Sequence, residues 1–178
     1  MHHSFAILSA TLGAGLGEVL QRGGNLQAHP SRDALETHRM NWTDYAIFMM
    51  ALTLWREARG DGEDGMRAVG HVIANRRNAS FHRDWVAVIT ARNQFTSMSV
   101  HSDPETVLWP VTGDAVFAIA MRLAADIIEG TDPDNTLGAQ YYANLATMDR
   151  YGWFKQNILD EPEVHPQTAV IGKQTFFR

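Results

Sequence analysis

One stretch constrains this chain more than any other. Between Tyr45 and about Arg59, Tyr45, Phe48, Leu52 and Trp55 form one helical stripe, while Ile47, Met50, Ala51 and Leu54 form a second. A helix apolar around most of its girth must be wrapped by the rest of its domain, so this segment is expected at the centre. Thr43 is the expected N-cap, with Asp44 in the first turn. Gly60 and Gly62 are expected to end the helix. A carboxylate, Glu57, falls on its last turn.

The remaining elements are read around that rod. A second helix is predicted from Glu63 to Arg77, with Met66, Val69, Val72 and Ile73 inward and Arg67, Arg76 and Arg77 facing out or binding acids. Asp84 caps a short helix, Trp85 to Thr90. A further helix runs from Thr112 to Glu129, with Val116, Ile119, Leu123 and Ile127 in register and Gly130 closing it. Strand patterns come late, at Gln140 to Asn144 and at Thr168–Ile171 and Gln174–Phe177, which flank a tight Gly172-Lys173 turn. The class is α+β, mostly α, with a small antiparallel sheet near the C-terminus.

A length of 178 residues suits one domain. Residues 41–178 are assigned to it, and 1–40 to an N-terminal segment and linker. Phe5 to Leu20 is apolar, but no Lys or Arg precedes Arg22, so it is read as a helix or strap, with a leader peptide as the alternative. The run contains Glu18 and is too weak for a stable membrane span. A net charge of −5 leans against a nucleic-acid partner. Arg76, Arg77 and Arg83 are accordingly read as a solvated helix end that pairs with acids. The absence of cysteine removes disulfides, thiolate nucleophiles and Cys-based zinc sites.

Few residues remain to carry chemistry. The eight histidines show no His-Glu-x-x-His pattern and no ligand pair at helical spacing, so no metal is expected, and His71 is read as structural. Ser80, Ser97 and Ser99 lack a nucleophile-elbow context. Glu57 stands out because Met50, Thr53 and Leu54 are its helical neighbours. Such surroundings desolvate a carboxyl and favour its protonated form, as a general acid requires. Arg56 and Arg59 oppose this. The competing reading is a structural ion pair between Glu57 and Arg56, Arg59 or Arg67.

Four motifs in order resemble one family. Trp55-Arg56-Glu57-Ala58-Arg59-Gly60, followed by Gly65-Met66-Arg67-Ala68-Val69-Gly70-His71-Val72-Ile73-Ala74-Asn75-Arg76, looks like the start of the SleB-type cell wall hydrolases. These include spore cortex-lytic enzymes and phage lysins. Asn93-Gln94-Phe95-Thr96 resembles the family's Gln-Phe-Ser segment, and Gly138 to Asn144 its Gly-Ala-x-x-Tyr strand. Ala169 to Arg178 resembles its closing hairpin. The likeness covers about residues 45–178. Three positions depart from the pattern: Arg56 stands where a small residue is common, Asp61 where Glu is usual, and Tyr141 where a His is often found.

The resemblance implies a lysozyme-like domain related to lytic transglycosylases. Its function would be peptidoglycan cleavage between N-acetylmuramic acid and N-acetylglucosamine, as a phage endolysin or a bacterial cell-wall lytic enzyme. No cofactor is expected, and the chain is expected to act as a monomer at the wall or periplasm. Export would be holin-dependent for a phage protein, or by secretion otherwise. Glu57 takes the place of the catalytic glutamate. Gln94, Phe95 and Thr96 would line the sugar cleft, and Tyr142 matches the cleft tyrosine. Tyr141, Asn144 and Trp153 are further contact candidates, since sugar rings stack on aromatic faces and amides bond N-acetyl groups.

A two-carboxylate hydrolase needs a partner group roughly 5–9.5 Å from the acid; Asp61, Glu63 and Asp64 are the nearby candidates, with Asp61 put forward as the second carboxylate. A lytic transglycosylase needs one glutamate alone, and the resemblance favours that route. The alternative of another class is a non-catalytic wall-binding or virion structural module on the same fold.

Overall fold

The computed structural model describes residues 42–79, 84–148 and 152–178. The readings that fall on 1–41, and on Ser80, His82 and Arg83, lie outside them. Helix α1 spans Trp42–Ala58, and a 3-10 turn, Arg59–Asp61, leads into α2, Gly62–Ala79. Short helices α3 (Trp85–Thr90) and α4 (Thr96–Ser99) follow, then α5, Ala115–Glu129. Strands β1 (Tyr141–Ala143), β2 (Gln167–Ile171) and β3 (Gln174–Phe177) form one antiparallel sheet in the order β1-β3-β2. The α+β, mostly helical class is as the sequence implied.

The central rod is where its stripes put it. In α1, every residue from Met50 to Arg56, and Ala58, is buried. Met50, Leu54 and Trp55 join Met66, Val69 and Ile73 of α2, Ile89 of α3 and Leu123 and Ile127 of α5 in one core. Each such side chain contributes about 1.5–3 kcal/mol by leaving water. Gly70 lets α2 approach α5 closely, because a Cβ there would lie 2.4 Å from Ile127 Cδ1. A second, smaller cluster, Ala68, Val72, Ala139 and Phe176, seats the sheet against the other face of α2.

Several boundaries moved. Helix α1 begins at Trp42, which places Thr43 inside it instead of at its cap. The cap of α5 is Asp114, not Thr112: its carboxylate accepts from the Val116 and Phe117 amides, and its other oxygen from Trp55 Nε1 at 3.1 Å. Gly60 and Gly62 interrupt the helical path for only one 3-10 turn before α2 resumes. The Gly172-Lys173 turn is a two-residue connection with Gly172 at φ +59°. A single-turn α4, the 3-10 turn Pro104–Val107 and the π-type turn Lys155–Leu159 were not foreseen. No helix among the described residues is long and apolar enough to cross a membrane.

Candidate active site

Glu57 is the one residue between Met50 and Ala58 that is not buried. Among the described residues, neither of its oxygens meets a cation. Ser97 Oγ donates to Oε1 at 2.6 Å, and the Tyr142 hydroxyl donates to Oε2 at 2.8 Å. The two donors come from α4 and β1, so three segments far apart in sequence converge on one carboxyl.

The expected competitors for Glu57 are engaged elsewhere. Arg56 is buried and turns away, donating to the carbonyls of Ser97, Thr106 and Leu108 at 2.8–3.2 Å. Arg59 forms a fork with Glu105. Arg67 pairs with Glu63, Asp64 and Asp132. The ion-pair reading of Glu57 is therefore overturned for all three arginines. His71 is structural, as expected, with Nε2 2.8 Å from Asp132 Oδ1.

Tyr142 is fixed by its ring, which stacks on Phe176 at 5.7 Å between centroids. Burial pushes its phenol well above the ordinary range, and the charge and hydrogen bond of Glu57 push it the same way. It therefore stays a neutral hydroxyl. A hydroxyl can donate or accept, so both Ser97 and Tyr142 can serve Glu57 with or without its proton.

Arg76 corrects the sequence reading. It does not end a solvated helix paired with acids: Nε donates to the Gln140 carbonyl at 2.6 Å and Nη1 to that of Gln94 at 3.4 Å. Its guanidinium carbon lies 5.0 Å from the Phe95 ring centroid. Burial lowers its pKa, against the pull of Tyr142, Tyr141 and Glu57, which places the cation within electrostatic reach of the carboxyl. A groove of about 390 Å³ opens here, lined by Arg76, Gln94, Gln140, Tyr141 and Trp153 among others.

The remaining sequence candidates divide. Gln94 and Tyr141 line the groove, as does Trp153, which is 62% exposed. Phe95 is buried in the core and is not among the residues that line this groove. The Thr96 hydroxyl donates to Asp103 at 2.6 Å, and its neighbour Ser97 carries the hydroxyl that meets Glu57. Asn144 Oδ1 accepts from the Ala146 amide within its own turn. Asp61 packs against Gly65 and the Gly172 turn and makes no hydrogen bond or ion pair with Glu57. Ser97 was missed because it was weighed only as a nucleophile. Its place one residue beyond the Gln-Phe-Thr match was the available signal.

Glu57 is thus a partly exposed carboxyl clasped by two hydroxyls, an arrangement with the means to give and take a proton; the groove walls hold Tyr141, the neighbour of its partner Tyr142, but not Glu57 itself. Comparison with known proteins agrees with the sequence resemblance. A profile of the cell wall hydrolase family matches residues 60–177, an interval that opens just after Glu57. Spore cortex-lytic enzymes of Oceanobacillus iheyensis and Halalkalibacterium halodurans are each 32% identical, over 131 and 136 residues. Those alignments cover 73% and 76% of this chain but only 40% and 35% of the relatives, so the chain spans less than half of their length.

Among solved structures, the catalytic domain of the germination-specific lytic transglycosylase SleB from Bacillus anthracis is 30% identical with a TM-score of 0.56. That match covers 75% of this chain and 93% of the other. The catalytic domain of the Bacillus cereus SleB protein matches at 30% and 0.55, covering 75% and 89%. The chain belongs to the cell wall hydrolase family.

Proposed function

We propose that this domain cleaves peptidoglycan glycan strands between N-acetylmuramic acid and N-acetylglucosamine by lytic transglycosylation, with Glu57 as sole acid and base. The observation that carries the reading is a solvent-reachable carboxyl at the end of a buried helix, held by Ser97 and Tyr142 and by no cation.

Glu57 gives its proton to the bridging oxygen as the bond from muramic C1 breaks. The muramic 6-hydroxyl then closes on C1, and its proton passes to Glu57, which restores the acid and leaves a 1,6-anhydro end. Between the two transfers Glu57 is a carboxylate, and two preset hydroxyls face its oxygens. Donors already in place stabilise such a charge without reorganisation. The setting that fits is the wall, reached as a phage endolysin or as a bacterial lytic enzyme.

The test is digestion of purified walls with mass spectrometry of the released muropeptides. Wild type is expected to yield anhydro ends. Glu57→Gln is expected to lose at least about 100-fold in rate, the usual yield of a positioned acid/base, while keeping its melting temperature. A fully active Glu57→Gln protein sinks the assignment, and reducing ends replace transglycosylation with hydrolysis by water.

A further inference from the structure

The groove lined by Gln94, Gln140, Tyr141 and Trp153 has one charged residue among its described walls, Arg76, whose cation lies within electrostatic reach of Glu57. Two of its nitrogens are spent on the carbonyls of Gln140 and Gln94, which fix the guanidinium plane. Among the described residues Nη2 has no protein acceptor, and it is not sealed away from solvent either. The ring faces of Phe95, at 5.0 Å, and Tyr141, at 5.9 Å, flank the cation and limit where it can point.

Among the described residues no carboxylate pairs with it, although the chain carries 20 acidic residues against 15 Lys and Arg. Glu57, the carboxylate within its electrostatic reach, already has a hydroxyl on each oxygen. Partial burial of a cation costs free energy that a matching anion normally offsets. Arg76 lines the groove, so a ligand that enters it meets this guanidinium. Arginine's planar fork suits a carboxylate.

We propose that Arg76 is a specificity-determining residue that binds a carboxylate of the glycan strand in this groove, so that the domain selects acidic glycans over neutral ones. The inference rests on the peptidoglycan reading above. Two carboxylates of that polymer share the required chemistry: the lactyl carboxylate of a peptide-free muramic acid, and those of the acidic stem peptide.

Two soluble substrates test it, peptide-bearing strands and strands stripped of peptide by an amidase, each native and with its carboxyls blocked as methylamides. Wild type is expected to lose about tenfold or more in kcat/KM on the blocked strands, mostly through KM, as for a site left with an unpaired charge. Arg76→Gln should lose a similar factor on native strands and cleave native and blocked strands alike. Arg76→Lys should recover part of the preference. An Arg76→Gln loss that persists on stripped strands assigns the lactyl group, and one confined to peptide-bearing strands assigns the peptide.

A wild-type enzyme that cleaves native and blocked strands equally, in the peptide-bearing and in the stripped form alike, overturns the proposal, even if Arg76→Gln fails to fold. So does a folded Arg76→Gln protein with the wild-type preference. Should wild type cleave nothing, the catalytic reading falls on its own. Equilibrium binding of native and blocked strands to wild type then decides the Arg76 inference, equal affinity overturning it.

Discussion

Replacing Arg56 with Met tests whether a buried cation holds the segment that brings Ser97 to Glu57. Arg56 is 7% exposed and reaches three carbonyls: Ser97 at 2.9 Å, Thr106 at 2.8 Å, and Leu108 at 2.9 and 3.2 Å. Its guanidinium lies 5.0 Å from the Trp109 ring centroid. Methionine keeps much of the aliphatic stem and removes every donor. The Ser97 carbonyl, buried at its bond to Arg56, then stands unsatisfied, at about 1–3 kcal/mol. The Thr106 and Leu108 carbonyls can turn to water, and each loses about 0.5–1 kcal/mol. The total is about 2–5 kcal/mol.

For a domain of this size, 1 kcal/mol moves Tm by about 4 °C, so the expected fall is about 8–20 °C by thermal denaturation. Arg56→Lys should lose about half as much, because a point ammonium cannot span three carbonyls as a fork does. Wall-lytic rate should fall in the same order, since the pinned segment carries Ser97. An Arg56→Met protein melting within 2 °C of its parent refutes the reasoning.

Other substitutions probe the site and the frame separately. Tyr142→Phe keeps the stack on Phe176 and removes one donor to Glu57. Its kcat is expected to drop by about 10²-fold with little change in Tm, and a rate within threefold of wild type in wall digestion removes Tyr142 from the chemistry. Ser97→Ala should behave alike, with a drop of about tenfold or more in kcat and an altered pH profile.

Asp132 is pushed upward by burial, but hydrogen bonds from His71 and Arg67 outweigh this and hold its pKa below the ordinary 3.8. A lowered folded value means its stabilisation is present above that ordinary value and is lost as pH falls through the folded one. Asp132→Asn should therefore melt lower than wild type at neutral pH, with the gap closing below about pH 4. A gap that does not change with pH counts against it.

Periodicity revealed most of the scaffold because the large elements carry long, repeated signals. The double stripe of α1 and the Asp84 and Gly130 boundaries appear where the pattern places them. The Thr43 and Thr112 caps failed for the same reason: a Ser/Thr/Asp signal marks a range of plausible starts, and tertiary contact chooses among them. Asp114 was chosen for α5, and it also receives the Trp55 indole. Turns of four or five residues, such as Thr96–Ser99 and Lys155–Leu159, are too short for any period to show.

At the site, Glu57 was legible from a charge on an apolar rod, and Tyr142 only from the family resemblance. Ser97 and Arg76 were not. Their roles depend on the approach of segments 18 to 64 residues away, and helical spacing carries no record of that. Arg76 lies on a helix face that looked solvent-bound until β1 and the Gln94 turn closed over it.

The two hydroxyls that clasp the acid lie 40 and 85 residues further along the chain, and the ring beneath Tyr142 belongs to β3. A nascent or partly unfolded copy thus has an ordinary glutamate and no assembled catalyst. On the proposed function, the clasp around the acid exists only once β1 and β3 are in place, so damage to the small sheet should abolish wall lysis before the helical core gives way.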